Sequence, residues 1–148
     1  MNRFELGTVL AKFNANKINL PLRLSKIARD YFLEGFKNEG FNGRKWEQVQ
    51  RRIRGTAEYR YPKKRDLPRR TRSILLGKSR NLFKSIVNSQ RTATWQEIRL
   101  GSDVPYAVYH NEGTEHIPQR QFMGHTPELD RRMKAEIKKQ FDKVFKLK

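Results

Sequence analysis

Apolar residues recur with helical spacing in three stretches of this chain. Near its start, a short amphipathic helix is predicted by Leu6, Val9, Leu10 and Phe13, which follow an i, i+3, i+4, i+7 spacing. A longer helix is predicted from Pro21, which suits a first turn, to Gly40, which ends it. The last helix is predicted to start at Thr126 as N-cap, with Pro127 in its first turn and an apolar stripe that reaches Phe145.

The region before the last helix predicts a small sheet and a short helix. Residues 94–100 alternate with period two, as a half-buried strand does, and the segment from Ser85 to Gln90 is the predicted partner strand. A short helix capped by Asp103 is predicted to end at Gly113. We therefore predict an α+β fold in which a small antiparallel sheet packs against two long helices, as one domain over residues 1–148.

Both periodicities disappear between Phe41 and about Arg72, where Pro62 and Pro68 interrupt a strongly basic segment. Residues 44–91 hold 16 Lys/Arg and 3 Asp/Glu, which is +13 of the net charge of +18. We predict a long loop, the basic arm, at about residues 50–72, and so long a loop is usually functional. The positive charge concentrated in this segment attracts nucleic acid or an acidic protein surface. The candidate contact residues are Arg51, Arg52, Arg54, Lys63, Lys64, Arg65, Arg69 and Arg70.

Composition excludes several classes of protein. There is no apolar run of about 18 residues, so neither a membrane span nor a membrane partner is expected. The first residues lack the apolar stretch of a signal peptide, and the chain has no cysteine for disulfides or thiolate sites. We expect synthesis in a cytoplasm.

The residues that offer chemistry form no recognisable catalytic pattern. A metal or nuclease site is conceivable from His110, Glu112, Glu115 and His116, but the break at Gly113 leaves no reason for these side chains to converge. A solvated turn, in which His110 hydrogen-bonds near the helix end, is the favoured interpretation. No serine-hydrolase or phosphate-loop pattern is complete either. We therefore predict no catalytic, metal-binding or cofactor-binding residues, and no cofactor.

A sequence of motifs resembles the virion morphogenesis (tail completion) proteins of tailed phages, best known from Mu-like phages. The motifs are Phe41 and Trp46, then Ile74-Leu75-Leu76-Gly77 with Leu82 and Ser85, then the strand ending at Gly101-Ser102. The best match is Tyr-Ala-x-x-His-x-x-Gly at residues 106–113, followed by Ile-Pro-x-Arg-x-Phe-x-Gly at residues 117–124.

This resemblance implies a structural, non-enzymatic protein of the virion, made in the cytoplasm of a bacterial host. It would complete the tail or join tail to head at the neck, as a ring of copies around the DNA conduit. Implied partners are further copies, other head–tail connector or tail proteins, and viral DNA in the channel. A stand-alone basic nucleic-acid-binding protein is the alternative, and a small metal-dependent nuclease is a third hypothesis.

The segment from His116 to Phe122 offers a place for contact between subunits. Pro118 favours extended backbone before it, so we predict that this segment projects. The predicted interface residues are Ile117, Arg120 and Phe122. Packing in the core is an equally good explanation of Phe122, and it is the preferred one for Trp46 and Trp95.

Overall fold

The computed structural model describes residues 6–61 and 71–145, and its fold is α+β, as predicted. The elements of this part are α1 (Leu6–Asn38), β1 (Gly40–Phe41), β2 (Arg44–Lys45), a 3₁₀ turn (Gln50–Arg52), α2 (Ala57–Arg60), α3 (Asn81–Val87), β3 (Gln90–Ala93), β4 (Ile98–Leu100), α4 (Ala107–Glu112) and α5 (Pro127–Phe145). The predicted sheet is instead two separate antiparallel hairpins, β1–β2 and β3–β4.

Two compact units share these elements. The first unit contains residues up to 31, 90–101 and those from 125, and the second contains residues 32–89 and 102–124. Helix α1 contributes to both of them. The single domain expected over residues 1–148 stays a prediction.

Helix α1 is continuous, so the prediction of two helices in this region is wrong. Pro21 lies inside it and lacks the N–H of an ordinary helical residue, a loss that typically costs about 3 kcal/mol. Contacts with α5 lie on both sides of this proline and offset the loss. Asn16 Nδ2 donates to Gln140 O at 3.0 Å, and Thr126 Oγ1 donates to Tyr31 Oη at 3.0 Å. This order of contacts makes the two helices antiparallel.

Helix α5 begins as predicted. Thr126 is its N-cap, since Thr126 Oγ1 accepts a hydrogen bond from Leu129 N at 3.1 Å. Pro127 takes the first helical position, and the acidic Glu128 and Asp130 lie in the first turn, where the helix dipole favours negative charge. No helix in the described residues has an apolar stretch long enough to span a membrane.

The second hairpin keeps one predicted strand and replaces the other. Strand β4 lies within the predicted strand, but its partner is β3, which shares only Gln90 with the predicted partner strand, since residues 85–87 belong to α3. The turn is closed by Thr94 N, which donates to Glu97 O at 2.8 Å. Trp95 lies in this turn and is 43% exposed, so the packing role predicted for it is wrong.

The core of the second unit is an aromatic cluster around Phe36, which has no exposed surface. The ring centroids of Trp46, Phe83 and Phe122 lie 5.7, 5.7 and 5.4 Å from that of Phe36. Such edge-on and tilted aromatic pairs add to the gain from burial. Trp46 Nε1 also donates to Gln121 O at 2.7 Å, which satisfies the indole inside the core.

The tight hairpin β1–β2 places Trp46, the residue after β2, in this core. Asn42 and Gly43 have φ values of 50° and 76°, which match the two-residue turn that Asn-Gly favours. Gly40 faces the opposite strand so closely that a Cβ there would overlap Arg44 O. Asn42 and Gly43 thus suit the positive φ values of the turn, and Gly40 suits the close approach of the two strands.

The segment from His116 to Phe122 does not project in the way that the sequence predicts. Phe122 is 1% exposed and Arg120 is 7% exposed. Asn111 Oδ1 accepts hydrogen bonds from Phe122 N and Met123 N, both at 3.0 Å, and holds the segment against α4. Phe122 was open to two interpretations, a contact between subunits or packing in the core, and in the structure it packs in the core. A contact between subunits through Ile117 or Arg120 stays a prediction.

Replacing Phe122 should therefore destabilise the protein. We expect Phe122→Ala to lower the free energy of unfolding by about 3–5 kcal/mol, because it leaves a cavity beside Phe36. Tyr61→Ala is the control in the same unit, since Tyr61 is 80% exposed and its loss should cost less than about 0.5 kcal/mol. Urea denaturation followed by circular dichroism measures both. A Phe122→Ala protein of unchanged stability that fails to oligomerise would show an interface role instead.

Candidate functional site

The described part of the basic arm contains two short helical elements, the 3₁₀ turn (Gln50–Arg52) and α2 (Ala57–Arg60), so the continuous loop predicted there is wrong over these residues. Arg51 and Arg52 end the 3₁₀ turn and are half-buried, whereas Arg54 is exposed. Neither element buries a side chain. The other five candidate contact residues lie outside the described residues, namely Lys63, Lys64, Arg65, Arg69 and Arg70.

Two arginines of the arm bind groups of their own chain. Arg52 Nη1 and Nη2 donate to Glu39 Oε2 and Oε1 at 2.7 and 2.8 Å, a bidentate pair. Arg52 Nη2 and Arg51 Nη2 also donate to Arg72 O at 2.8 and 3.0 Å. Ile74 N donates to Glu39 Oε1 at 2.8 Å. These bonds join the two described ends of the arm, so Arg51 and Arg52 have a structural role whatever they contact outside the chain.

Electrostatics keep this ion pair charged. The hydrogen bonds from Arg52 lower the pKa of Glu39, partial burial opposes this shift, and the bond from Ile74 N adds to it. The same pair raises the pKa of Arg52. Glu39 itself has a φ of 49° just before β1, so it also turns the chain out of α1. This role of Glu39 is not predictable from local sequence, because its partner Arg52 lies 13 residues further along the chain.

The motif over residues 106–124 folds into a brace between α4 and the following segment. Arg120 N donates to His110 O at 2.7 Å, which draws the returning chain against the helix. Gly113 ends α4 at a φ of 80°, where a Cβ would press on Gln119 N. The helix starts at Ala107 with Tyr106 as N-cap, so the capping role predicted for Asp103 is wrong.

His110 makes its hydrogen bond near the helix end through its carbonyl rather than through its ring. Within the described residues, His110 Nδ1 is buried and has no hydrogen-bond partner. Burial lowers the pKa of His110, and the positive charge of Arg120 lowers it further. Both effects favour the neutral form of the imidazole.

The other candidate ligands of a metal are not brought together. Glu112, Glu115 and His116 are exposed. Over residues 6–61 and 71–145, no group of three His, Asp or Glu side chains is placed to hold a metal ion.

A cavity of about 290 Å³ lies beside His110 in the second unit. Its lining includes three arginines, Arg51, Arg72 and Arg120, and an aliphatic wall from residues 74–76. None of the lining residues that the structure describes is acidic. Sequence analysis could not find this cavity, because its walls come from stretches far apart in the chain.

Comparisons with protein-family models, with curated proteins and with solved structures find no match to this chain.

Stability should depend on pH through Glu39. Because the pKa of Glu39 is lower in the folded protein than its ordinary value of 4.5, the pair stabilises the fold above that value. This contribution is lost as the pH falls through the folded pKa. Glu39→Gln should cost about 1–3 kcal/mol at pH 7, because it removes the charged partner of Arg52. It should also flatten the fall in stability below about pH 5, where the carboxylate would otherwise begin to take up protons.

Urea denaturation at steps from pH 7 to pH 3 checks this. Glu97→Gln is the matched control, since Glu97 pairs with Arg99 on an exposed hairpin. Its loss should cost at most about 1 kcal/mol. Identical pH profiles for Glu39→Gln and the unmodified protein would refute the role given to this pair.

Proposed function

We propose that this chain is a structural, non-enzymatic protein of a tailed-phage virion, which completes the tail or joins tail to head at the neck. The observation that carries this proposal is that the residues of the phage-like motifs are those that hold the second unit together. A motif whose members pack and brace the fold fits a structural protein better than a catalytic one.

The contacts of the motif residues support a structural role one by one. Phe41 and Trp46 are buried, and so are Ile74 and Leu82 from the second motif. Ser85 and Ser102, from two different motifs, share a hydrogen bond of 2.6 Å between their hydroxyls. In the motif that matches best, His110 and Arg120 are joined through their backbone and Phe122 fills the core. Motifs far apart in sequence thus form one packed unit.

In this proposal, the basic arm is the part of the chain that contacts DNA. In a ring around the conduit, the arm would face the phosphate backbone, with other copies and further connector or tail proteins as its neighbours. Its net charge supports either that contact or an acidic surface on a neighbouring subunit. The same charge supports the alternative function, a stand-alone nucleic-acid-binding protein.

The location of the chain in the particle separates these two functions. In phage particles from a strain that encodes the chain, immunogold labelling should place it at the head–tail junction. Particles made without it should accumulate as filled heads and unjoined or unfinished tails. Normal infectious particles without the chain, together with its recovery on bulk host nucleic acid, would favour the stand-alone function.

The arm is tested by the salt dependence of DNA binding. Replacing Lys63, Lys64, Arg65, Arg69 and Arg70 by Gln should weaken binding to duplex DNA for every sequence alike. It should reduce the slope of log K against log salt concentration by up to about 4–5, because fewer counterions are released. Fluorescence anisotropy between 50 and 300 mM salt measures both quantities.

A matched variant controls for total charge. It replaces five exposed lysines outside the arm by Gln, namely Lys12, Lys26, Lys37, Lys134 and Lys139. This variant should keep most of the salt slope. An arm variant with an unchanged slope but failed assembly would point to an acidic protein as the partner of the arm.

A further inference from the structure

The cavity beside His110 holds a buried arginine that lacks a counter-charge. Arg120 is 7% exposed, and within the described residues its one side-chain hydrogen bond runs from Nε to Glu47 O at 3.2 Å. A guanidinium carries five N–H donors, so most of them are left for the cavity that Arg120 lines. Buried charges in folded proteins are normally paired, because leaving one unpaired is costly.

The nearest acidic group does not meet this need. Glu47 acts on Arg120 through space, and its charge partly offsets the effect of burial on the pKa of Arg120. No ion pair within 4 Å joins the two among the described residues, and Glu47 does not line the cavity. The site therefore has room and charge for an anion from outside the chain.

Two further arginines face the same space. Arg51 and Arg72 line the cavity with Arg120. Arg51 is oriented by its bond to Arg72 O, so it is held in place before any ligand arrives. Three arginines around one concavity make it strongly positive, and a guanidinium binds the oxygens of a carboxylate or a phosphate.

The rest of the lining distinguishes a carboxylate from a phosphate. Residues 74–76 and Leu82 supply an aliphatic wall, against which inorganic phosphate would place nothing apolar. A volume of about 290 Å³ lies at the lower end of the usual range for ligand pockets and suits one or two amino-acid side chains. An acidic side chain next to an aliphatic one fits both features.

The rim of the cavity favours a protein as the source of that carboxylate. Tyr106 lines the cavity and is also 43% exposed, so it reaches solvent. Exposed tyrosines beside arginines are the composition of protein interfaces, where these residue types carry most of the binding energy.

We propose that this cavity, the arginine pocket (Arg51, Arg72, His110 and Arg120), binds the carboxylate of an acidic segment of a partner protein. An aliphatic side chain of that segment lies against residues 74–76, and its backbone crosses Tyr106. This inference does not depend on the proposed virion role, because it concerns a site outside the five arm residues tested for DNA binding.

Nuclear magnetic resonance of the full ¹⁵N-labelled chain tests the proposal with four probes at constant ionic strength. These are the peptide acetyl-Ala-Leu-Glu-Leu-Ala-amide, the same peptide with Gln for Glu, free 4-methylpentanoate and inorganic phosphate. The acidic peptide should cause saturable shifts at Arg120 Nε–H and at the amides of Ile74 and Tyr106. The Gln peptide should bind at least about tenfold more weakly, because it loses the charge-assisted hydrogen bonds. The free acid and phosphate should also bind more weakly than the acidic peptide.

A pair of variants assigns the binding to the pocket. Arg72→Gln removes the positive charge of one lining residue while it keeps the backbone oxygen that Arg51 and Arg52 bind. It should weaken binding of the acidic peptide by about fivefold or more, the effect of one charge-assisted contact. Arg44→Gln is the matched control, since Arg44 is exposed and does not line the cavity, and the affinity of this variant should stay within about twofold.

Five results would overturn the proposal. Equal binding of the Gln peptide would show that charge plays no part, and equal or tighter binding of phosphate would assign the site to phosphate groups. Equal affinity for the free acid would point to a small carboxylate ligand rather than a protein. Equal weakening by Arg72→Gln and Arg44→Gln, or no saturable shift at all, would show that the cavity is not a specific site.

Discussion

The bidentate pair between Glu39 and Arg52 is the constraint on which the second unit depends. The carboxylate of Glu39 accepts bonds from Arg52 and from Ile74 N, and its carbonyl accepts from Trp46 N at 2.8 Å. One residue thus fixes the end of α1, the hairpin that carries Trp46, the 3₁₀ turn and the segment that begins the second motif. Because Trp46 and Ile74 are core residues, the polar network and the aromatic cluster stabilise the same arrangement.

The same network links the fold to both candidate sites. Arg51 and Arg52 close the described ends of the basic arm, and Arg51 then lines the cavity with Arg120. A long loop whose ends are held a short distance apart keeps its base fixed, whatever its tip contacts. The arm and the arginine pocket therefore share one support, although the ligands proposed for them differ: a polyanion for the arm and a single carboxylate for the pocket.

Much of the fold could be predicted from local sequence, because it depends on local physics. The cap at Thr126, the stripe of α5 and the helical stop near Gly40 follow from side chains that act within a few residues. The break expected at Pro21 failed because contacts between distant helices outweigh the local loss. The strand pairing failed because residues 81–87 are helical, and short apolar runs do not distinguish helix from strand. The Asn42-Gly43 turn is also a local feature, since Asn-Gly is a common sequence of two-residue hairpin turns.

The candidate sites were less predictable, since they are built from pairs distant in the chain. The positive charge of the arm can be counted from the sequence. The sequence does not show that Arg51 and Arg52 bind groups of their own chain. Pro118 correctly favours extended backbone before Arg120 and Phe122, but extended backbone alone does not show whether a segment projects or packs inward. The bond from Asn111 to that segment, which turns it inward, involves residues eleven positions apart.

The two tryptophans give each compact unit its own spectroscopic signature. Trp46 is buried and hydrogen-bonded in the second unit, while Trp95 lies at an exposed turn of the first. An indole in an apolar core emits at shorter wavelength than one in water, so the intrinsic fluorescence of this chain contains two separable components. Emission from Trp46 and from Trp95 can therefore follow the melting of the two units independently, and without any label. Cooperativity between the units is accordingly a measurable property of the natural chain.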